Sequence, residues 1–286
     1  MKKQLKGRFA PSPSGDLHFG SLVAAVASYL EIKKTDGEWL VRVEDIDPPR
    51  IVEGASSAIL QSLESHHLYW DGEVSYQSKR IHHYQEVMEN LKRSNLIYGC
   101  ECSRKQLKGV YPYPKLCRNL TLPINHISTN QRNYALRIKT KSEEINMSDL
   151  WLGDLSWNME SDIGDSILQR ADGIFSYHLA VVVDDFLQGI TQVIRGSDLL
   201  DSTPIHIHLQ QLLGYNTPQY GHIPTATNSD GVKLSKQYGA KPLNNNSPLD
   251  NIFLALQFLG ANPPSKLRDH SLDTLWSWAL ENWKTR

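Results

Sequence analysis

The chain has 286 residues, 40% hydrophobic and 21% charged, enough to bury a substantial core. No apolar run approaches the roughly 18 residues of a membrane-spanning helix, and three cysteines are too few for a disulfide framework, so no membrane partner and a cytoplasmic setting are expected. With 30 Lys and Arg against 31 Asp and Glu the net charge is −1, so any nucleic acid must be held by a local basic patch.

Residues 1–5 are basic but lead straight into a strand expected at 6–10, which leaves no room for a signal peptide. Pro11, Pro13 and Gly15 break that strand. The spacing of Leu22, Val23, Val26, Ala27 and Leu30 predicts a helix over 19–33. A buried strand is expected at 39–43, a turn at 47–50, and helices at 53–68 and 79–94. This alternation predicts an α/β fold with a doubly wound parallel sheet. Residues 96–157 break the rhythm. They hold every cysteine, the run Tyr111-Pro112-Tyr113-Pro114 and a β-rich patch, and read as an insertion. Its basic stretch 132–141 is either an edge strand with solvated charges or a nucleic-acid contact. The α/β pattern returns over 166–170, 177–183 and 191–195. A helix opened by Thr203-Pro204 runs to Leu213 and stops at Gly214. Two short amphipathic helices are expected at 250–259 and 271–283. The expected division is therefore 1–95 and 158–240 as two halves of one core, 96–157 as the insertion, and 241–286 as a helical tail.

Two segments carry the chemistry. The first is Arg8-Phe9-Ala10-Pro11-Ser12-Pro13-Ser14-Gly15-Asp16-Leu17-His18-Phe19-Gly20. A strand that turns into a helix start offers free N–H groups and a positive dipole end, which suits phosphate. Gly15 and Gly20 let backbone approach a nucleotide, and His18 can donate to its oxygens. The second is Lys233-Leu234-Ser235-Lys236, whose lysines can supply mobile positive charge to a phosphoryl-type transition state. Together, in this order and βα setting, they resemble the paired nucleotide-binding signatures of class I aminoacyl-tRNA synthetases, in the glutamyl branch. Ser21, Leu234 and Gln237 depart from that pattern. Ser21 stands where a second His or similar polar group is usual.

The resemblance implies a Rossmann catalytic core that activates L-glutamate with ATP and Mg²⁺ and passes it to tRNA. By the same resemblance Arg8 holds the side-chain carboxylate and Glu44 the α-amino group. Tyr177 and Arg195 are two further amino-acid contacts, and Phe9, Ala10, Pro11 and Ser12 complete the glutamate site. Pro11, Gly15, His18, Gly20, Ser21 and Lys236 face ATP, with His18, Lys233 and Lys236 catalytic. Asp184-Asp185 either lies near ATP or caps a helix, and Asp45 and Asp47 have no firm role. The sequence stops 50 residues after Lys236, whereas a full glutamyl-tRNA synthetase continues into a large anticodon-binding region. The expectation is a truncated, monomeric member of this branch whose acceptor is queuosine at the wobble position of tRNA(Asp). The acceptor does not follow from residues. A compact enzyme charging the 3′ end of tRNA(Glu), or a non-catalytic nucleotide-binding regulator, stays open.

Cys100 and Cys102 can clasp one metal, and Cys117, 15 residues further on, can add a third thiolate. On spacing alone, three unlinked buried thiols fit as well. The resemblance adds a Cys-Cys-Tyr-Cys zinc site in which the Tyr lies four residues before the last Cys, an offset Tyr113 meets and Tyr111 does not. Such a zinc is structural, a staple for the insertion. The pairs His66-His67 and His82-His83, and His206 with His208, have the wrong offsets for chelation and are expected to face solvent or pack in the core.

Overall fold

The computed structural model describes residues 4–120, 122, 124, 134–225 and 242–285. Strand β1 (Lys6–Phe9) feeds helix α1 (Phe19–Lys33), which returns to strand β2 (Glu38–Val43), and the strands run parallel with Lys6 opposite Glu38 and Phe9 opposite Val41. Helix α2 (Ala55–Ser65) leads to the short strand β3 (Ser75–Tyr76), parallel to β2. After α3 (Ile81–Arg93) come β4 (Ile97–Cys100), β5 (Ala135–Ile138), β6 (Glu144–Asp149), β7 (Gly153–Asn158) and β8 (Ile167–Gln169). Helix α4 (Tyr177–Leu187) is capped by Ser176, whose Oγ accepts from the Leu179 N–H at 3.3 Å. Strand β9 (Gln192–Gly196), helix α5 (Thr203–Leu213) and strand β10 (Gln219–Ile223) form a second parallel unit. Helix α5 stops where Gly214 takes φ 67°, a left-handed conformation that costs glycine nothing. Helices α6 (Pro248–Phe258) and α7 (Leu272–Asn282) follow.

The structure records two parallel sheets, β1–β2–β3 and β9–β10. The Thr191 N–H donates to the Lys6 carbonyl at 2.8 Å, which brings the start of β9 alongside β1. Both faces are covered, as buried parallel strands require. Trp39, Val41 and Ile194 join α1, α2, α6 and α7 in one core. Leu40, Val193 and Tyr220 join α3, α4 and α5 in the other. Successive strand residues thus face opposite cores, the two-residue period of a pleated strand.

Two expectations are corrected. Residues 166–170 do not rejoin the parallel core: β8 is antiparallel to β5, in a sheet of order β4–β5–β8. The stretch 132–141 does not form an edge strand either, because β5 is the central strand of that sheet. Arg132 lies outside the described residues, and Arg137 is buried instead of solvated. Its guanidinium lies 3.7 Å over the Tyr113 ring and Nη1 donates to the Asp165 carbonyl at 2.6 Å. Periodicity within one strand says nothing about how many neighbours it acquires.

Trp39 anchors the first core. It is fully buried, stacked 6.3 Å from Phe9 and edge-on to Tyr29 at 5.1 Å, and its Nε1 donates to Ser28 Oγ at 3.0 Å. Trp39→Ala should lower unfolding free energy by about 3–5 kcal/mol in a urea titration. A loss under about 1 kcal/mol would show that the site collapses onto the void.

Candidate active site

The C-terminal ends of β1, β2 and β9 and one face of α4 meet around a set of buried charges. Arg8 leaves β1 almost fully buried and donates from Nε to Asp185 Oδ1 at 3.1 Å and from Nη2 to Oδ2 at 3.4 Å. Asp185 is shared with Arg42 of β2, whose Nη1 is 2.8 Å away. Asp184 accepts from Arg80 Nε at 2.6 Å, from the Tyr84 hydroxyl at 2.7 Å and from Gln77 at 3.0 Å. Arg42 Nε stands 3.8 Å from Asp184, and its Nη2 3.8 Å from Glu44. Asp184-Asp185 therefore does not cap a helix. It sits in the later turns of α4, where arginines from two strands must be neutralised out of water. Burial alone would raise the Asp185 carboxyl, but Arg8 and Arg42 overcome it and hold the group below the usual carboxylate range. At Glu44 the balance goes the other way: burial outweighs Arg42 and Arg8 and pushes the carboxyl up to about 7. Arg8 has five N–H donors, and two are spent on Asp185, which leaves three.

Arg195, on β9, is as buried but differently held. Nε donates to His222 Nε2 at 3.1 Å and Nη2 to Thr203 Oγ1 at 2.7 Å. Nη1 donates to the Tyr177 hydroxyl at 3.1 Å and to His206 Nδ1 at 3.3 Å. His206 Nε2 lies 3.2 Å from His178 Nδ1. Burial pushes His178 down to about 4 and His206 well below its ordinary value, with Arg195 adding to both, so these rings stay neutral. Burial raises the Tyr177 phenol, which keeps its proton and has it to donate. Among the described residues no carboxylate pairs with Arg195. Arg195, Glu44, Arg8 and Asp185 all act electrostatically on the buried Tyr177 phenol, so the two groups of buried charges lie near one another.

Thr203, His178, His206 and His222 were not among the residues singled out in the sequence. Of these histidines only His206 is weighed in the sequence, and only as a chelator, and Asp149 and His222 are 73 residues apart. Phe9 turns away from the pocket onto Trp39. Asp45 accepts from the backbone and hydroxyl of Ser78, and Asp47 pairs with Arg170 at 3.1 Å.

The turn after β1 lies beside this pocket, since the Glu44 N–H donates to the Pro11 carbonyl at 2.9 Å. Ser12 accepts through its carbonyl from the Ser14 N–H at 2.9 Å. Gly15 adopts φ 131°, which side-chain-bearing residues rarely reach. His18 caps α1, with Nδ1 3.3 Å from the Ser21 N–H and Nε2 3.1 Å from Ser21 Oγ. Phe19, Gly20 and Ser21 form the first turn of α1. Lys233 and Lys236 lie outside the described residues. The described chain resumes at Pro242, which bridges to His18 while the Leu243 N–H donates to the Leu17 carbonyl at 2.9 Å.

A second cluster lies beyond β4. The sulfurs of Cys100, Cys102 and Cys117 fall within 4.8 Å of one another. The Tyr113 hydroxyl is 3.2 Å from Cys100 Sγ and 3.5 Å from Cys102 Sγ, and Cys102 and Cys117 Sγ are 3.5 Å apart. Zinc–sulfur bonds of about 2.3 Å in a tetrahedron place ligand atoms roughly 3.5–4 Å apart, so the donor set fits that ion. Around it the loop has little apolar support, a cluster of Tyr98, Cys100, Tyr113 and Cys117 with Cys102 and Leu107 against it. Purified protein should hold about one zinc per chain by elemental analysis, and Cys117→Ser should lose it together with protease resistance of the loop. Full resistance in a zinc-free variant would contradict this.

Comparison with known proteins adds the following. The model of the family "tRNA synthetases class I (E and Q), catalytic domain" matches residues 4–247. A curated protein of Dechloromonas aromatica named glutamyl-Q tRNA(Asp) synthetase is 45% identical over 292 residues, covering 99% of this chain and 95% of its own length. One of the same name from Pseudomonas aeruginosa is 45% identical over 284 residues, covering 99% and 94%. Among solved structures, glutamate-tRNA synthetase from Elizabethkingia anophelis superimposes with a TM-score of 0.81 at 25% identity, covering 99% of this chain and 66% of that one. A glutamate tRNA ligase from Elizabethkingia meningosepticum, solved in complex with its amino acid, gives a TM-score of 0.79 at 23% identity, covering 99% and 65%. The chain thus spans a little under two thirds of the length of these two ligases.

Proposed function

The chain belongs to the family of class I tRNA synthetase catalytic domains for glutamate and glutamine, and from that premise we propose that it activates L-glutamate with ATP and transfers it to the queuosine base of tRNA(Asp). The observation that carries the amino-acid assignment is the charge balance of the pocket. With Glu44 ionised, as an ammonium partner requires, Arg8, Arg42 and Arg80 face Glu44, Asp184 and Asp185, three cations against three anions. Arg195 is left over, positive and ringed by neutral groups. Free glutamate brings a net charge of −1, which closes the account, whereas glutamine brings none.

In this reading the side-chain carboxylate takes the free Nη2 proton of Arg195, the Tyr177 hydroxyl proton and a remaining donor of Arg8. Glu44 receives the α-ammonium group. The α-carboxylate then points toward the turn of Pro11, Ser12, Gly15 and His18 and the start of α1 with Gly20 and Ser21, where the positive end of the helix dipole suits phosphate. ATP with Mg²⁺ supplies the phosphorus that the carboxylate attacks, and Lys233 and Lys236 are assigned to the charge that develops there. Cys100, Cys102, Tyr113 and Cys117 would hold a structural zinc. The Thr191–Lys6 bond supports reading the two parallel sheets as halves of one doubly wound sheet. No described helix is long and apolar enough to cross a membrane.

The name shared by the relatives at 45% identity supports the acceptor. Labelled glutamate should enter acid-precipitable material with tRNA(Asp) carrying queuosine and not with the same tRNA lacking it. Transfer to the 3′ end of tRNA(Glu) instead would establish the compact glutamyl-tRNA synthetase.

Glu44 gives a pH dependence with a definite sign. Its carboxyl, held up to about 7 in the free protein, must ionise to meet an ammonium group. Glutamate affinity should therefore rise about tenfold between pH 6 and pH 8, with proton release on binding near neutrality. Calorimetry in buffers of different ionisation heat measures both. Glu44→Gln should bind weakly and without that slope, and a slope of the same size in the variant would remove Glu44 from the site.

A further inference from the structure

The guanidinium edge of Arg195 formed by Nε and Nη2 is the fork that a carboxylate normally fills. Here two neutral acceptors fill it, His222 Nε2 at 3.1 Å and Thr203 Oγ1 at 2.7 Å. The acceptors are themselves joined at 2.9 Å. Behind His222 stands Asp149, with Oδ2 2.6 Å from Nδ1 and Oδ1 3.0 Å from the His222 backbone N–H. The partners dictate every proton. A carboxylate only accepts, so Nδ1 of His222 carries the hydrogen; a guanidinium only donates, so Nε2 is bare. Thr203 accepts from Arg195 and donates to Nε2. The negative charge of Asp149 is thereby kept one imidazole away from Arg195, orienting the cation without pairing with it.

Asp149 is also fixed from its own side. It ends β6, and Oδ1 accepts from the N–H groups of Trp151 and Leu152 at 2.9 and 3.1 Å, closing the β6–β7 turn. The Leu150 N–H donates to the Tyr220 carbonyl at 3.0 Å, and a Cβ on Gly221 would lie 2.7 Å from the Trp151 ring. The hairpin of the insertion is thus locked to β10 at the residue that holds Arg195.

We propose that Asp149, His222 and Thr203 are positioning residues that aim Arg195 at the substrate carboxylate while leaving its charge free, and so set the preference for glutamate over glutamine. This rests on the functional reading above. In Asp149→Asn the amide must turn its N–H₂ away from the three backbone donors, toward His222 Nδ1. The imidazole then carries its hydrogen on Nε2, against the Arg195 Nε–H, the wrong tautomer for the job. Thr203→Val removes the second acceptor with little change of shape, and Thr203→Ser restores it.

Steady-state exchange of pyrophosphate into ATP, driven by glutamate or glutamine, tests this in the full-length protein. Asp149→Asn and Thr203→Val should raise the glutamate KM about tenfold or more, leave the ATP KM unchanged and narrow the preference for glutamate, with Thr203→Ser near the parent. An unchanged glutamate KM and preference in Thr203→Val would overturn the proposal. So would a loss that falls equally on glutamate, glutamine and ATP, since that marks general loosening. Absence of glutamate activation by the parent protein would overturn the functional reading, and the inference with it.

Discussion

Guanidinium groups taken out of water dominate the architecture of this protein. Arg8, Arg42 and Arg195 are each within 5% of full burial. An isolated buried charge costs far more than one ion pair or packing contact returns. The fold meets that cost in two ways. For Arg8 and Arg42 it brings Asp184 and Asp185 from α4 and Glu44 from the end of β2. For Arg195 it supplies hydrogen bonds without charge, from Tyr177, Thr203, His206 and His222. The first arrangement balances its charge within the protein, and the second calls for an anion.

The contrast also explains the ionisation of the surrounding groups. Carboxylates next to arginine stay ionised despite burial, as Asp185 does. Glu44, fully buried and farther from Arg42, is pushed toward neutrality chiefly by that burial, with Asp185 and Asp184 adding to it. Imidazoles near Arg195 are pressed neutral by burial and by its charge, which is what their acceptor role needs. Burial first, and the neighbouring cation second, thus set the protonation state of three histidines.

The insertion is held at two places with different physics, one internal and one against the core. Near β4, thiols and a phenol converge under the Arg137 guanidinium, a donor set whose geometry fits a metal ion. At β6–β7, a hydrogen-bonded carboxylate and a Trp ring seated on Gly221 do the same work without metal. Because Asp149 reaches His222, the second attachment also reaches Arg195 through that ring.

Local periodicity by itself determined much of this chain. Helix α1 occupies 19–33 as its apolar spacing predicts, α5 stops at Gly214, and the alternation of strands and helices is that of a parallel α/β fold. Arg8, Glu44, Tyr177 and Arg195 were named from the resemblance of their short segments to the glutamyl branch, and the structure finds Arg8, Tyr177 and Arg195 among buried partners. Tertiary structure decided what requires distance. That β8 pairs with β5, that Arg137 is buried, that Asp184-Asp185 neutralises two strands, and that Asp149 meets His222 across 73 residues leave no mark in any local window. Pattern reports which face of an element is apolar. It does not report which charge that face will be asked to balance, since the balance is set only when segments far apart in sequence share the same dry volume.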